Sequence, residues 1–370
     1  MILTICAIKS LKNRASLNLN LNHKPLELIL PPRIFPYGAP LASGILKASA
    51  EDFKVDEVLG FEPSGSGEHL LLQIEKKDVT TTDLVDILAG DYGLHPKHIG
   101  YCGLKDKRAV TRQWFSLQLP GKMDSTEIPP SDLYQVCQSG WHHRKLKRGS
   151  HQANRFEVRI REVSDWTEIS QEQVQSVIRA GMANYFGTQR FGQQQDNVDR
   201  GLAALSSPRK RKRLTRNKRG IYLSALRAHL FNAILSERIN RGDWANPING
   251  DVFMLRGSHS IFTAAIDQTM IDRFQSMDIS STASLPGKSA TELTADAQLL
   301  EESIFARFSE VRACLLEQDI ETQLRAIRMP IDWLEIDYDA EQTCLTVKAE
   351  LSSGCYMTTL LDHFINTNQI

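Results

Sequence analysis

The 370-residue chain has 41% apolar and 24% charged side chains, an ordinary globular composition that excludes disordered and fibrous classes and leaves room for two domains. No apolar stretch approaches the roughly 20 residues of a membrane-spanning helix, so no membrane partner is expected. Basic and acidic residues number 44 each, a balance that on average argues against a polyanionic partner.

The average hides an asymmetry. Residues 265–370 hold 18 Asp or Glu against 7 Lys or Arg, which leaves an excess of 11 positive charges in the first 264. Much of it sits in two clusters: Arg144, Lys145, Lys147 and Arg148, and the run 209–213 continued by Arg216, Lys218 and Arg219. One such cluster is as readily a solvated loop as a binding surface; two in one chain favour RNA contact.

In chain order, residues 1–44 read as an N-terminal extension. Leu17, Leu19 and Leu21 alternate with Asn, which predicts a strand, and the proline-rich stretch 31–40 predicts an extended connector. The first residues meet Lys9 and Asn-rich sequence rather than a signal-peptide core, so a cytoplasmic protein is expected. Phe53, Val55 and Val58 predict a short strand, 63–67 a turn, and 70–74 a second strand, together a hairpin-like pair. Residues 80–82 can cap a helix carrying Leu84, Val85, Ile87 and Leu88 and ending near Gly93 and Pro96. Glu51, Asp52, Asp56 and Glu57 form an acidic cluster that could in principle hold Mg²⁺ in a nuclease, but its spacing is not a known metal loop and a solvated strand face is the readier reading.

Next comes a strand end at Ile99, Tyr101 and Cys102, a glycine at 103, and a β-rich run resuming at Val110. Asp106 lies on the loop between them, among Lys105, Lys107, Arg108 and Arg112. Surrounding positive charge favours an ionised carboxylate, which can serve as nucleophile or base. A Lys-Asp-Lys-Arg loop is also, on composition alone, a solvated hairpin tip.

Past Tyr134 and the first basic cluster, Phe156, Val158 and Ile160 alternate with Arg155, Glu157 and Arg159, a half-buried strand. By pattern alone, Phe53 and Phe156 are core residues, and Asn154 is a turn former before a strand. Val174, Val177, Ile178 and Met182 predict a helix running toward Asn184, and the aromatics of 185–192 read as a structural elbow. A helix bearing Leu223, Leu226, Leu230 and Phe231 follows. Near the end, 334–338 and 345–347 predict two antiparallel strands, and Leu360, Leu361, Phe364 and Ile365 a closing helix. The six cysteines show no C-x-x-C spacing, so neither a zinc site nor a disulfide framework is indicated. No phosphate-binding glycine motif is present.

The run GLKDKRAVTRQWF (residues 103–115) resembles the signature of the TruD family of pseudouridine synthases, which isomerise uridine 13 of tRNA. The likeness extends over nearly the whole chain after about residue 40. It includes Glu51-Asp52-Phe53, Asn154-Arg155-Phe156, the segment 184–192 and Ser353-Gly354-Cys355-Tyr356.

The resemblance implies an α+β fold with a pseudouridine-synthase-like, mainly antiparallel mixed sheet. A catalytic domain over 45–180 and 330–370 would be interrupted by a mostly helical insertion over 181–329. It implies Asp106 as catalytic carboxylate and Phe53, Asn154, Phe156 and Tyr356 as substrate contacts, with Phe156 stacking on the target base. The family usually has Phe at the last position, so Tyr356 is a departure. tRNA is the implied partner, with no cofactor and no metal expected, acting as a monomer. The rivals are a catalytically silent RNA-binding or RNA-folding protein and a metal-dependent nuclease.

Overall fold

A computed structural model of the chain describes residues 32–121, 127–258 and 260–369. The strand predicted at Leu17, Leu19 and Leu21 lies outside the described residues. The first half contributes β1 (Ala42–Leu46), β2 (Phe53–Val58), β3 (His69–Lys77), helix α1 (Thr81–Asp91), β4 (Ile99–Tyr101), β5 (Val110–Gln118), β6 (Gln135–His142), β7 (Ala153–Ser164) and helix α2 (Glu168–Ala180). Then come β8 (Met182–Ala183), α3 (Asn197–Leu205), α4 (Pro208–Arg211), α5 (Arg216–Asn240), β9 (Val252–Leu255), β10 (Ile261–Thr263), α6 (Gln268–Gln275), β11 (Ile279–Leu285), α7 (Ala295–Arg307), α8 (Ser309–Leu316), β12 (Gln323–Ala326) and β13 (Arg328–Met329). The chain returns through β14 (Trp333–Asp339), β15 (Cys344–Ser352), α9 (Met357–Leu361) and β16 (Ile365–Gln369).

The main sheet runs β14-β15-β7-β2-β5-β3-β6, with β1 and β16 attached beside β7 and β4 beside β5. It is mainly antiparallel; β2 with β5 and β1 with β16 are the parallel pairs. This is the α+β, mixed-sheet class expected. β7 is its spine: Phe156, Val158 and Ile160 are buried and Arg155 and Arg159 exposed, so the alternation that predicts the strand also decides which face meets the core. That face packs with α2 and α9, while the β3–β5 half packs with α1 through Leu72, Phe115 and Leu88.

Three expectations need correction. β2 and β3 are not a hairpin pair, because β5 lies between them; a turn at 63–67 joins strands that are neighbours in sequence only. The closing helix is just five residues long, and Ile365 starts a parallel strand on β1 instead. The helix toward Asn184 stops at Gly181, which sits in the left-handed region with φ 77°; its Cβ would lie 2.5 Å from the Met329 carbonyl oxygen. β6 was missed altogether, since its run QVCQSGWH is half exposed and lacks a clean alternation. Between 181 and 329, α3, α7 and α8 pack against α5, and the segment also holds a four-stranded sheet, β10-β9-β11-β12, that periodicity did not predict.

His363 ties the distant parts together. It is fully buried, its Nδ1 donates to the Thr359 carbonyl at 2.8 Å, and its Nε2 accepts from the Ala183 amide at 2.9 Å. Burial pushes its pKa from 6.5 down to about 4. The unfolded chain therefore binds the extra proton first, so stability is lost as pH falls from about 6.5 to 4, by roughly 3 kcal/mol if this group acts alone. Thermal melts over that window should show the midpoint falling toward acid, and His363→Gln, destabilised at pH 7.5, should show less of that fall. An unchanged acid slope in the variant would contradict the assignment.

Candidate active site

The Asp106 loop is fixed from several sides. The Gly149 amide donates to the Cys102 carbonyl at 2.7 Å, and Gln113 Nε2 donates to the Gly103 carbonyl at 2.6 Å. The Lys105 amide donates to Thr81 Oγ1 at 2.9 Å, and that hydroxyl donates onward to Gln113 Oε1 at 3.0 Å. Beneath the loop lies Lys76, 1% exposed, its Nζ donating to the Val79 carbonyl at 2.6 Å and the Asp106 carbonyl at 3.3 Å. Burial lowers its pKa to about 8, against the opposing pull of Asp106. So the backbone is anchored while the Asp106 side chain stays 43% exposed.

The cation that meets this carboxylate is Lys47, whose Nζ lies 2.5 Å from Asp106 Oδ2 and is itself nearly buried. Lys47 has φ 58°, the sparsely used left-handed region, at the point where β1 turns away toward the short helix Ala50–Asp52. Its ammonium also lies 4.1 Å from the centroid of the Phe53 ring, a cation–π contact worth up to about 2 kcal/mol when desolvated. Phe53 in turn meets Phe156 edge to face, with centroids 6.0 Å apart. Adjacent strands make this possible: β2 and β7 pair Phe53 with Val158 and Val55 with Phe156, so both rings lie on the core face. Asp106, Lys47, Phe53 and Phe156 thus form one connected group.

Asn154 joins through Lys105. Lys105 Nζ donates to Asn154 Oδ1 and forms an ion pair with Glu57 at 2.8 Å, both partners nearly or fully buried. Asn154 Nδ2 also contacts His151 Nε2 at 3.2 Å, and Glu57 Oε1 accepts from the Trp114 amide. Removing one member of a buried pair of this kind costs about 3–5 kcal/mol. Tyr356 turns elsewhere: its hydroxyl accepts from Arg190 at 2.7 Å, while Arg190 also donates to Ser224 on α5. Cys355 and Met357 on either side of it pack into the cluster that holds Phe53 and Phe156.

Three of the cations close to Asp106 in sequence have partners elsewhere. Lys105 serves Glu57 and Asn154, Arg112 pairs with Glu75 at 2.8 Å and Asp56 at 3.7 Å, and Arg108 donates to the Ala48 carbonyl at 2.8 Å. Lys47, Lys76 and Thr81 anchor the loop; Thr81 falls in the run read as a helix cap, while no sequence pattern singled out Lys47 or Lys76. Nor does the acidic cluster converge: Glu51 pairs with Lys77, Asp52 with Arg161 at 2.7 Å, Asp56 with Arg112 and Glu57 with Lys105. These four carboxylates serve four separate cations, so they do not form the cage a nuclease metal needs.

A half-exposed carboxylate linked through Lys47 to a pair of packed aromatic rings, with a buried amide held by the adjacent Lys105, suits chemistry on a nucleoside. The family model of tRNA pseudouridine synthase D (TruD) matches residues 33–201 and 202–364. The chain belongs to the TruD family. A TruD-family relative, the tRNA pseudouridine synthase D of Methylococcus capsulatus, is 36% identical over 331 residues, 89% of this chain and 93% of that protein. The tRNA pseudouridine synthase D of Chromohalobacter salexigens is 37% identical over 340 residues, covering 90% and 96%. The crystal structure of a TruD protein from Methanosarcina mazei superposes with a TM-score of 0.72 at 18% identity over 90% of this chain and 95% of that one, a likeness of fold.

Proposed function

We propose that this TruD-family protein isomerises uridine 13 of tRNA to pseudouridine, with Asp106 as the catalytic carboxylate. The observation that carries the reading is the placement of Asp106: half exposed, on an anchored loop, 2.5 Å from Lys47, whose ammonium lies against Phe53. In the reaction the C1′–N1 bond breaks, the uracil turns, C5 joins C1′, and the hydrogen on C5 is replaced by one on N1. Asp106 attacks C1′ or takes the C2′ proton, Phe53 and Phe156 form the apolar floor for the extruded base, and Asn154 hydrogen-bonds it. Tyr356 closes the side nearest α5. Flipping costs a few kcal/mol, which such stacking and hydrogen bonds offset.

The same reading makes 45–180 and 330–370 one catalytic unit, 181–329 an insertion that adds RNA-binding surface, and 1–44 an extension to it. It makes the protein a cytoplasmic monomer. The second basic cluster supports the RNA partner: α4, the turn after it and the start of α5 present Arg209, Lys210, Lys212, Arg213 and Arg216 exposed. Beside that surface lies a cavity of about 580 Å³ lined by Arg190, Arg216 and Ser224, and Arg190 also donates to the Tyr356 hydroxyl.

Replacing Arg211, Lys212 and Arg213 with Ser should therefore weaken tRNA binding and lower its logarithmic salt slope by roughly 0.7 to 0.9 for each phosphate no longer neutralised. Unchanged affinity and slope would make the run a solvated surface. The function itself is tested by incubating the protein with unmodified tRNA, with and without EDTA, and mapping pseudouridine. Formation in both arms supports the proposal; binding without product supports a silent RNA-binding protein; cleavage abolished by EDTA supports a nuclease.

A further inference from the structure

A cavity of about 730 Å³ whose lining does not include Asp106 lies beside the turn 144–150, between that turn and the loop after β2. Its size falls in the range that nucleotide-sized ligands fill. On its wall Phe61, 40% exposed, stacks on His142 with centroids 5.1 Å apart and planes at 27°, and His143 continues the series 4.4 Å further on. The Ser64 amide donates to His142 Nδ1 at 3.3 Å, and His143 Nδ1 contacts the Ser64 hydroxyl at 3.1 Å, so both rings are held in place. Burial, and then electrostatic repulsion from His143 and Arg144, lowers the pKa of His142. Arg144 and Lys147 stand exposed on the lining. Glu62 also lines the cavity and can accept from a base amino group.

The cavity is coupled to the Asp106 loop. Leu146 and Cys102 share a small core with Leu71 and Trp114, and the turn bonds to Cys102 through the Gly149 amide. At Gly100 the approach is so close that a Cβ would lie 2.5 Å from the Leu146 carbonyl oxygen. The turn then leads directly to His151 and Asn154.

Aromatic faces for a base, cations for its phosphate, and a rigid link to the candidate catalytic loop together fit single-stranded nucleic acid. We propose that this cavity holds a second, unpaired nucleotide of the tRNA substrate, its base stacked on Phe61 and its phosphate met by Arg144 and Lys147. The inference rests on the proposed function, deepening its substrate contacts.

The test is tRNA binding by fluorescence anisotropy for wild type, Phe61→Leu, Phe61→Trp and the double variant Arg144→Ser/Lys147→Ser, alongside pseudouridine formation. Phe61→Leu, apolar but unable to stack, should weaken binding roughly tenfold with an unchanged salt slope, and Phe61→Trp should restore it. The double variant should lower the slope by roughly 0.7 to 0.9, the share of that one phosphate. Pseudouridine formation at limiting tRNA should fall with affinity in Phe61→Leu and in the double variant, and recover in Phe61→Trp. Equal affinity of Phe61→Leu and wild type would overturn the proposal, as would a weakening that Phe61→Trp does not restore. A wild type that binds tRNA but forms no pseudouridine would overturn the proposed function, while the anisotropy arms would still decide the cavity.

Discussion

Asp106→Asn is expected to abolish pseudouridine formation, with a fall in rate on the order of 10⁴ or more, while tRNA affinity stays within a few fold. Asn keeps the volume of the side chain, and its Oδ1 can still accept from Lys47, so the loop stays where Thr81, Gln113 and Lys76 hold it. Only the negative charge is removed, and with it the capacity to attack carbon or take a proton. Since the Asp106 side chain is 43% exposed, the substitution should leave the thermal midpoint nearly unchanged. Substantial turnover by the variant would remove Asp106 from the mechanism.

The second large effect concerns architecture. Ending the chain after Arg328 removes β14, β15, α9 and β16. It strips β7 of an eight-residue ladder to β15 and β1 of its parallel partner. Leu345, Val347, Leu351, Leu360, Leu361 and Phe364, all 2% exposed or less, go with them. At roughly 1.5–3 kcal/mol for each buried apolar side chain, the loss matches or exceeds the ~5–15 kcal/mol stability of a typical protein. The bared edge of β7 would then pair with other chains. An insoluble or unfolded product is expected.

Excising 183–328 should behave differently. β8 and β13 pair Met182 with Met329, so the cut ends are already neighbours and a short Gly/Ser linker can bridge them. That variant should be soluble and should have lost most tRNA affinity. A protein ending at Arg328 that melts cooperatively would refute the interrupted-domain reading.

Much of this was legible in the sequence because strand alternation carries its own geometry. The pattern of Phe156, Val158 and Ile160 located the central strand and its buried face, and the Asp106 loop was bracketed by its two strands. Periodicity says nothing, however, about which strands become neighbours, so β5 between β2 and β3 was invisible. It also misjudged the last helix, because four apolar residues at 360–365 fit a short helix and a buried strand alike.

The candidate site was legible in part. Asp106, Phe53, Asn154 and Phe156 are brought together through Lys47 and Lys105, but the cation paired with Asp106 is Lys47, to which no pattern around Asp106 pointed. Lys47 lies 59 positions from Asp106 in the chain and reaches it only because β1 turns through a left-handed residue. Composition around Asp106 cannot report a partner supplied by another strand.

The central claim is an isomerisation at one uridine, and its chemistry leaves a distinctive trace: C5 must exchange its hydrogen for C1′. The most direct test uses tRNA carrying tritium at C5 of uridine 13 alone, and a second sample labelled at every uridine except that one. Release of close to one tritium per tRNA from the first sample, and none from the second, is the predicted result. No release from the first, or release from the second, would contradict the assignment of uridine 13 as the site of reaction.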